Sequence, residues 1–298
     1  MMGGAAITSL KVLERMSLPA PFGIVFRDPA TATAVSDGLR ITVEPDGEPE
    51  LARRLMVTRS GVWTTTQLPG PPRSVPKPFR IALHDELGRF QPMAFTAELP
   101  QRGLFAWDGW SAHPPSLLAP FLGDLPPPDQ PSVPPPAPRL EWIPLFSAPG
   151  RAAPALLAEI RCDIVEADGR EAAWALVAAS VGGQIRGLGL ADAKGRALIH
   201  FAYPQRPPAT LPASPPALSH FRWNVELAVY RKPLPADAVP AVPTLAAIFA
   251  QLNHPRTPLA RIDPVQPLGP KELVLGRPLT IRTETQQGPS SSLVLGAE

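Results

Sequence analysis

The length and charge of the chain set the first limits. Its 298 residues have room for about two domains with cores of their own. Its 43 prolines, roughly three times ordinary usage, exclude long helices over most of the sequence, because proline lacks a backbone N–H and clashes with the preceding turn. The 28 Lys and Arg against 26 Asp and Glu leave a charge of +2 without a basic run, so nucleic acid is not a predicted partner.

The cysteine content and the apolar runs bear on the compartment. Cys162 is the sequence's only cysteine, which excludes an intramolecular disulfide and a disulfide-stabilised secreted scaffold. The first residues lack the basic and apolar segments of a signal peptide, and no apolar run approaches the roughly 18 residues that span a bilayer. We therefore expect cytoplasmic synthesis and no membrane insertion.

Short strands dominate the predicted elements, so the predicted fold class is mainly β. After a leader at 1–19, period-two patterns and turn residues predict a first β-sandwich at 20–123. A Pro-rich spacer follows at 124–150, because the proline run within it has no periodicity and favours polyproline II. A second β-sandwich is predicted at 151–238.

A helix and a β-tail are predicted for the C-terminal segment, 239–298. Thr244 can cap a helix whose apolar residues recur at helical spacing up to Leu252, and we expect this helix to pack on the second sandwich. The tail carries apolar side chains that need a partner surface, either the second sandwich or another subunit. Leu273, Leu275 and Ile281 are therefore candidate partner-binding residues.

The same turn occurs twice in the sequence. Residues 85–90 read Asp-Glu-Leu-Gly-Arg-Phe, and residues 192–197 read Asp-Ala-Lys-Gly-Arg-Ala. Asp85 and Asp192 can close the turn with their side chains, and Gly88 and Gly195 can adopt the positive φ that it requires. The repetition predicts two related β-domains, in which these four residues are structural.

The aromatic segment around Phe105, Trp107 and Trp110 has two interpretations. It can cover an open end of the first sandwich or join the two domains, because so much apolar surface is costly to expose. Alternatively it forms a partner-binding patch, since tryptophan-rich clusters dominate interface energetics. As a ligand-binding module, the chain would use Trp107 and Trp110 as a platform for carbohydrate.

No residue pattern predicts catalysis. His84, Asp85 and Glu86 are adjacent, but successive side chains of a strand face opposite ways, so we interpret them as a surface histidine and a turn. Cys162 lies in an apolar strand without a neighbouring histidine, which indicates an inert thiol. We expect no catalytic, cofactor or metal site, and the chain is not predicted to be an enzyme.

Several motifs of the first half resemble the carboxypeptidase-regulatory-like, or transthyretin-like, β-sandwich family. They are Ser60-Gly61-Val62-Trp63, Leu68-Pro69-Gly70, residues 79–84 and the turn at 85–90. The second turn departs from the family pattern at Ala197, where the family has Phe. The resemblance implies two Ig- or transthyretin-like sandwiches that serve as non-catalytic scaffolds.

The order of motifs over most of the chain is similar to accessory structural subunits of contractile injection systems, which are phage-tail-like particles. The order includes Phe26-Arg27-Asp28-Pro29, the first Asp-x-x-Gly-Arg-Phe turn, the Pro-rich spacer, residues 145–149 and residues 272–277. This resemblance implies an assembly role in a baseplate, cap or sheath-associated position. It also implies other subunits of the particle as partners, and release from the cell as part of that particle.

Overall fold

The computed structural model describes residues 20–70, 75–101, 103–105, 142–154, 156–204, 221–232 and 241–296. The predicted leader at 1–19 and the proline run at 124–138 lie outside these ranges. The described chain is mainly β and carries one short α-helix near its C-terminal end, which confirms the predicted fold class.

Two groups of strands and a C-terminal segment make up the described chain. The first β-unit consists of β1 (Phe26–Asp28), β2 (Thr33–Ala34), β3 (Leu39–Pro45), β4 (Arg53–Arg54), β5 (Met56–Val57), β6 (Trp63–Thr64), β7 (Lys77–Asp85), β8 (Met93–Leu99) and β9 (Ile143–Pro144). The second β-unit consists of β10 (Leu157–Val165), β11 (Leu176–Val181), β12 (Gln184–Leu190), β13 (Arg196–Ala202) and β14 (Arg222–Tyr230). The C-terminal segment adds α1 (Leu245–Ala250), β15 (Pro255–Arg256), β16 (Leu259–Arg261), β17 (Gln266–Pro267), β18 (Lys271–Val274), β19 (Leu279–Thr280), β20 (Glu284–Thr285), β21 (Gly288–Pro289) and β22 (Leu293–Val294).

The first β-unit is built around an antiparallel sheet in the order β4-β3-β7-β8. The alternation of side chains along β3 and β7 places Ile41, Phe79 and Ile81 in a fully buried core, while the intervening residues lie on the opposite face. The small sheet β2-β1-β9 and the β5-β6 hairpin contribute to the same core.

The strand β9 lies inside the segment that the sequence predicts to be spacer. It pairs in parallel with β1, and Ile143, Leu145 and Phe146 are at most 1% exposed. The predicted spacer, 124–150, therefore extends too far: residues 142–148 belong to the first β-unit, because their apolar side chains fill its core.

The second β-unit is a sandwich of two sheets. The sheet β12-β11-β14-β15 faces the sheet β13-β10-β19 across a shared core. β10 contributes Ile160, Cys162 and Ile164 to this core, and β14 contributes Val225 and Val229.

The C-terminal tail completes this sandwich. β18 pairs antiparallel with β14, while β19 and β22 pair in parallel with β10. Leu273, Ile281, Leu293 and Leu295 are buried in the same core. Of the two surfaces predicted for the tail, it uses the second sandwich, because pairing there satisfies strand edges and buries its apolar side chains together. β16, β17, β20 and β21 form a further small sheet.

The predicted helix is present with its predicted cap. Thr244 Oγ1 accepts a hydrogen bond from Ala247 N at 3.1 Å, and a 3₁₀ turn continues the helix to Asn253. The side chains at helical spacing, Leu245, Ile248 and Phe249, are buried, as the apolar stripe predicts.

The position of α1 corrects an expectation. The sequence predicts packing on the second sandwich, whereas the Phe249 ring lies 6.2 Å from that of Phe146 in the first β-unit. At the C-terminal end of the helix, Gln251 Nε2 donates a hydrogen bond to Trp174 O of the second β-unit. The helix lies at the junction of the two β-units, because its apolar stripe joins a core to which both contribute.

Both copies of the predicted turn adopt the predicted conformation. Gly88 has φ +67° and Gly195 has φ +75°. In each turn the carboxylate, Asp85 or Asp192, accepts hydrogen bonds from two backbone N–H groups and from the arginine that follows the glycine. The surroundings of the two glycines differ: a Cβ at Gly195 would lie 2.3 Å from Ile164 O, but one at Gly88 would meet nothing within 4 Å.

Alanine substitutions of these glycines are therefore expected to have unequal effects. Gly88→Ala should lower the free energy of unfolding by about 1 kcal/mol, because the alanine adds only the strain of a left-handed backbone conformation. Gly195→Ala should lower it by more than about 3 kcal/mol, because its Cβ also displaces the Ile164 carbonyl. Chemical denaturation of both variants measures the difference. Equal losses would show that the contact with Ile164 has no energetic importance.

Candidate functional site

The aromatic segment is only partly described by the structure. Phe105 is 6% exposed, and its ring stacks on that of Phe95 with 5.3 Å between centroids. It is a core residue of the first β-unit and presents no ring to a partner, which corrects its proposed place in a binding patch. Trp107 and Trp110 lie outside the described residues, so their role in binding a partner or carbohydrate stays a prediction.

The candidate partner-binding residues of the tail are mostly buried against strands of the same chain. Leu273 is fully buried and Ile281 is 2% exposed, because β18 and the chain after β19 lie on strands of the second β-unit. They are therefore core residues and not contacts for another subunit. Leu275 is half-buried just beyond β18 and stays partly accessible.

The adjacent residues His84 and Asp85 are separated by the alternation of β7. His84 is exposed on the outer face of the sheet, whereas Asp85 is 3% exposed within its turn. Among the described residues, no three His, Cys, Asp or Glu side chains are grouped as a metal ion would require. Burial raises the pKa of the Cys162 thiol to about 12, so the thiol stays protonated and unreactive at neutral pH.

Five polar side chains meet where the two β-units touch, and we call them the junction network. Asp28 ends β1, Ser147 and Arg151 follow β9, Glu159 lies on β10, and His200 lies on β13. Each of these residues is at most 9% exposed. Glu159 and His200 are direct partners across β10 and β13, so their side chains share one face, and Ser147 of the first β-unit contacts that face at His200.

Hydrogen bonds and ion pairs connect the junction network in series. Arg151 Nη2 lies 2.6 Å from Asp28 Oδ2, and Arg151 Nη1 lies 2.9 Å from Ser147 Oγ. Ser147 Oγ is 3.3 Å from His200 Nδ1, and His200 Nε2 is 3.8 Å from Glu159 Oε2. The series thus joins a carboxylate of the first β-unit to a carboxylate of the second.

The donors and acceptors of this series can be assigned from its chemistry. A guanidinium has no acceptor, so Ser147 Oγ accepts the hydrogen bond from Arg151. The hydroxyl proton of Ser147 is then directed to His200 Nδ1, which leaves the imidazole proton on Nε2, facing Glu159. In this assignment His200 is neutral, and its Nε2 lies 3.8 Å from Glu159 Oε2, beyond hydrogen-bonding distance.

The arrangement of Ser147, His200 and Glu159 is unsuited to nucleophilic catalysis. In a Ser-His-Asp triad the serine faces Nε2 and the carboxylate faces Nδ1, and here the two are exchanged. The cavity beside Ser147 and His200 has a volume of about 10 Å³, which admits at most one water molecule. These geometries support a structural role for the three residues.

The junction network makes stability sensitive to acid. Burial, and then the charge of Arg151, lower the pKa of His200 below its ordinary value of 6.5. The unfolded chain therefore binds a proton more readily than the folded chain, so this contribution to stability is present above pH 6.5 and is lost as the pH falls towards the lowered pKa.

We expect the free energy of unfolding to fall between pH 7 and pH 5.5, with a slope of up to about 1.4 kcal/mol per pH unit from His200. His200→Gln should remove this part of the slope, because glutamine does not titrate. His84→Gln is the matched control, since His84 is exposed and makes no ion pair in the described chain. Urea denaturation at several pH values measures the slopes. An unchanged slope in His200→Gln would contradict the assignment.

The junction network was not predicted from the sequence, although its residues carry a recognisable signal. Ser147 follows Leu-Phe, and His200 stands between Leu-Ile and Phe, in apolar runs that bury their neighbours. A polar residue inside such a run must find a hydrogen-bonding partner when it is buried. This rule predicts individual buried polar residues, but it does not predict which of them contact each other.

Comparison with known proteins adds no relative: no protein-family model, no curated protein and no solved structure matches this chain. Within the part of the chain that the structure describes, no helix is both long and apolar enough to cross a membrane.

Proposed function

We propose that this chain is a non-catalytic structural component of a phage-tail-like contractile injection particle, in a baseplate, cap or sheath-associated position. The observation that carries the proposal is the joining of two β-units into one body. A continuous apolar core extends from the first β-unit through α1 to Trp174, Leu188 and Leu190 of the second. The buried junction network lies beside this core. A subunit that transmits mechanical force within a particle, or that fixes the positions of its neighbours, needs its two domains held at a fixed angle.

The order of sequence motifs supports the particle in particular. Two of the motifs that resemble accessory subunits of contractile injection systems, Phe26-Arg27-Asp28-Pro29 and residues 145–149, contain Asp28 and Ser147. Both residues belong to the junction network. An assembly subunit requires firm contacts between its domains, and these two motifs supply residues for such contacts.

Fractionation of native particles tests the proposal. The chain, tagged at its own locus, is expected to sediment with sheath and tube proteins in a density gradient. In a strain that lacks the sheath protein, the tagged chain should move to fractions of low mass, which excludes aggregation as the cause. Sedimentation as a free small species in both strains would overturn the proposal.

A further inference from the structure

The outer face of the sheet β4-β3-β7-β8 carries a depression of about 380 Å³. Its floor is formed by Thr42 and Ala82, which are direct partners across β3 and β7. These short side chains lie between pairs of longer ones, Arg40 with His84 and Glu44 with Arg80. The depression is therefore a consequence of side-chain size along two paired strands, and its volume is in the range of small ligand sites.

The two ends of the depression differ in charge. At one end Arg80 Nη1 lies 3.0 Å from Glu44 Oε1, so the positive charge is compensated. At the other end Arg40 and His84 are exposed, and in the described chain neither side chain makes a hydrogen bond or an ion pair. The uncompensated guanidinium of Arg40 offers planar donors that match a carboxylate.

One side of the depression is apolar. Val242 is 43% exposed there, held in place because the neighbouring Pro243 O accepts a hydrogen bond from Ala94 N of β8 at 3.0 Å. A molecule bound in the depression therefore contacts the guanidinium of Arg40 at one end, the small side chains of Thr42 and Ala82 below, and the exposed Val242 at the side.

We propose that this depression binds an extended acidic segment of a partner protein. One carboxylate of the segment pairs with Arg40, and an apolar side chain two residues away lies over Thr42 and Ala82 against Val242. Alternate side chains of an extended chain are spaced by about 7 Å, which matches the spacing of successive pairs on the sheet. The inference is independent of the particle role, since it depends only on this face of the first β-unit.

Charge on the rest of the face favours a peptide that places a single carboxylate at Arg40 over a nucleic acid. Glu44 borders the depression, and Glu98 is exposed on the outer face of β8. A polyanion lying across the sheet would meet these carboxylates, whereas a single carboxylate at Arg40 would not.

Selection from a displayed library of random 12-residue peptides tests the proposal on the full-length protein. The selected peptides are expected to be enriched in Asp and Glu. Synthetic copies should bind Arg40→Gln at least about tenfold more weakly than the wild-type chain, because a charged hydrogen-bonding partner is lost. Arg53→Gln is the matched control: Arg53 is exposed on the adjacent strand β4 and does not line the depression.

Fluorescence anisotropy of the labelled peptides provides the measurement, and circular dichroism verifies that both variants fold. Unchanged affinity in Arg40→Gln, or the absence of acidic enrichment among the selected peptides, would overturn the proposal. Tighter binding of a 20-nucleotide single-stranded DNA, weakened equally in both variants, would overturn it too, because it would indicate a general polyanion surface.

Discussion

Deletion of residues 271–298 is expected to unfold the second β-unit. The deleted segment contains β18, β19 and β22, which pair with β14 and β10 on both sheets of the sandwich. It also removes Leu273, Ile281, Leu293 and Leu295 from the core, each at most 2% exposed. At about 2 kcal/mol for each buried side chain, the loss is about 8 kcal/mol, which is comparable to the whole stability of a typical domain.

Hydrogen exchange followed by mass spectrometry measures this effect. Peptides from 157–165 and 222–230 should lose protection in the truncated protein, because their edges are exposed and their core is incomplete. Protection that persists in both segments would contradict the expectation and would show that the tail is dispensable for folding.

Two point substitutions provide a finer test of the same core. Leu295→Ala should lower the free energy of unfolding by about 2 to 5 kcal/mol, because the side chain is fully buried. Val265→Ala is the control in the same segment, since Val265 is 71% exposed, and we expect a change within about 0.5 kcal/mol.

Arg151→Met is expected to lower the free energy of unfolding by about 3 to 5 kcal/mol. The substitution keeps a long side chain but leaves the carboxylate of Asp28, which is 4% exposed, without its cation in a buried site. It also removes the donor to Ser147 Oγ. Chemical denaturation measures the loss, and small-angle scattering should show a larger radius of gyration if the two β-units separate.

The pair Arg261 and Glu284 is the matched control for this prediction. Their side chains are 2.9 Å apart but are 46% and 57% exposed, so Arg261→Met should cost less than about 1 kcal/mol. The double variant Asp28→Asn, Arg151→Met should be more stable than Arg151→Met alone, because no buried charge is left unpaired. An additive loss in the double variant would show that the buried ion pair is not the cause.

Local chemistry in the sequence determined much of the fold. The period-two patterns predicted strands in the first half of the chain, and Leu39–Pro45 and Lys77–Asp85 are strands of its main sheet. The Asp-x-x-Gly-Arg pattern predicted two turns with glycine at positive φ, and Gly88 and Gly195 have it. Thr244 predicted the start of the helix. Each of these features depends on residues a few positions apart, so each can be predicted without knowledge of the rest of the chain.

The tertiary structure alone decided where these elements meet. The strand pairing of the tail joins 279–280 to 160–161, and the ion pair of Asp28 with Arg151 spans 123 positions. The apolar pattern of the tail indicates that its leucine side chains need a core. The pattern is the same whether that core belongs to this chain or to another subunit. Likewise, Arg40 and His84 become one end of a depression only because β3 and β7 pair in this register. Burial and pairing between distant segments depend on the packing of the whole chain, and no short window of sequence contains that information.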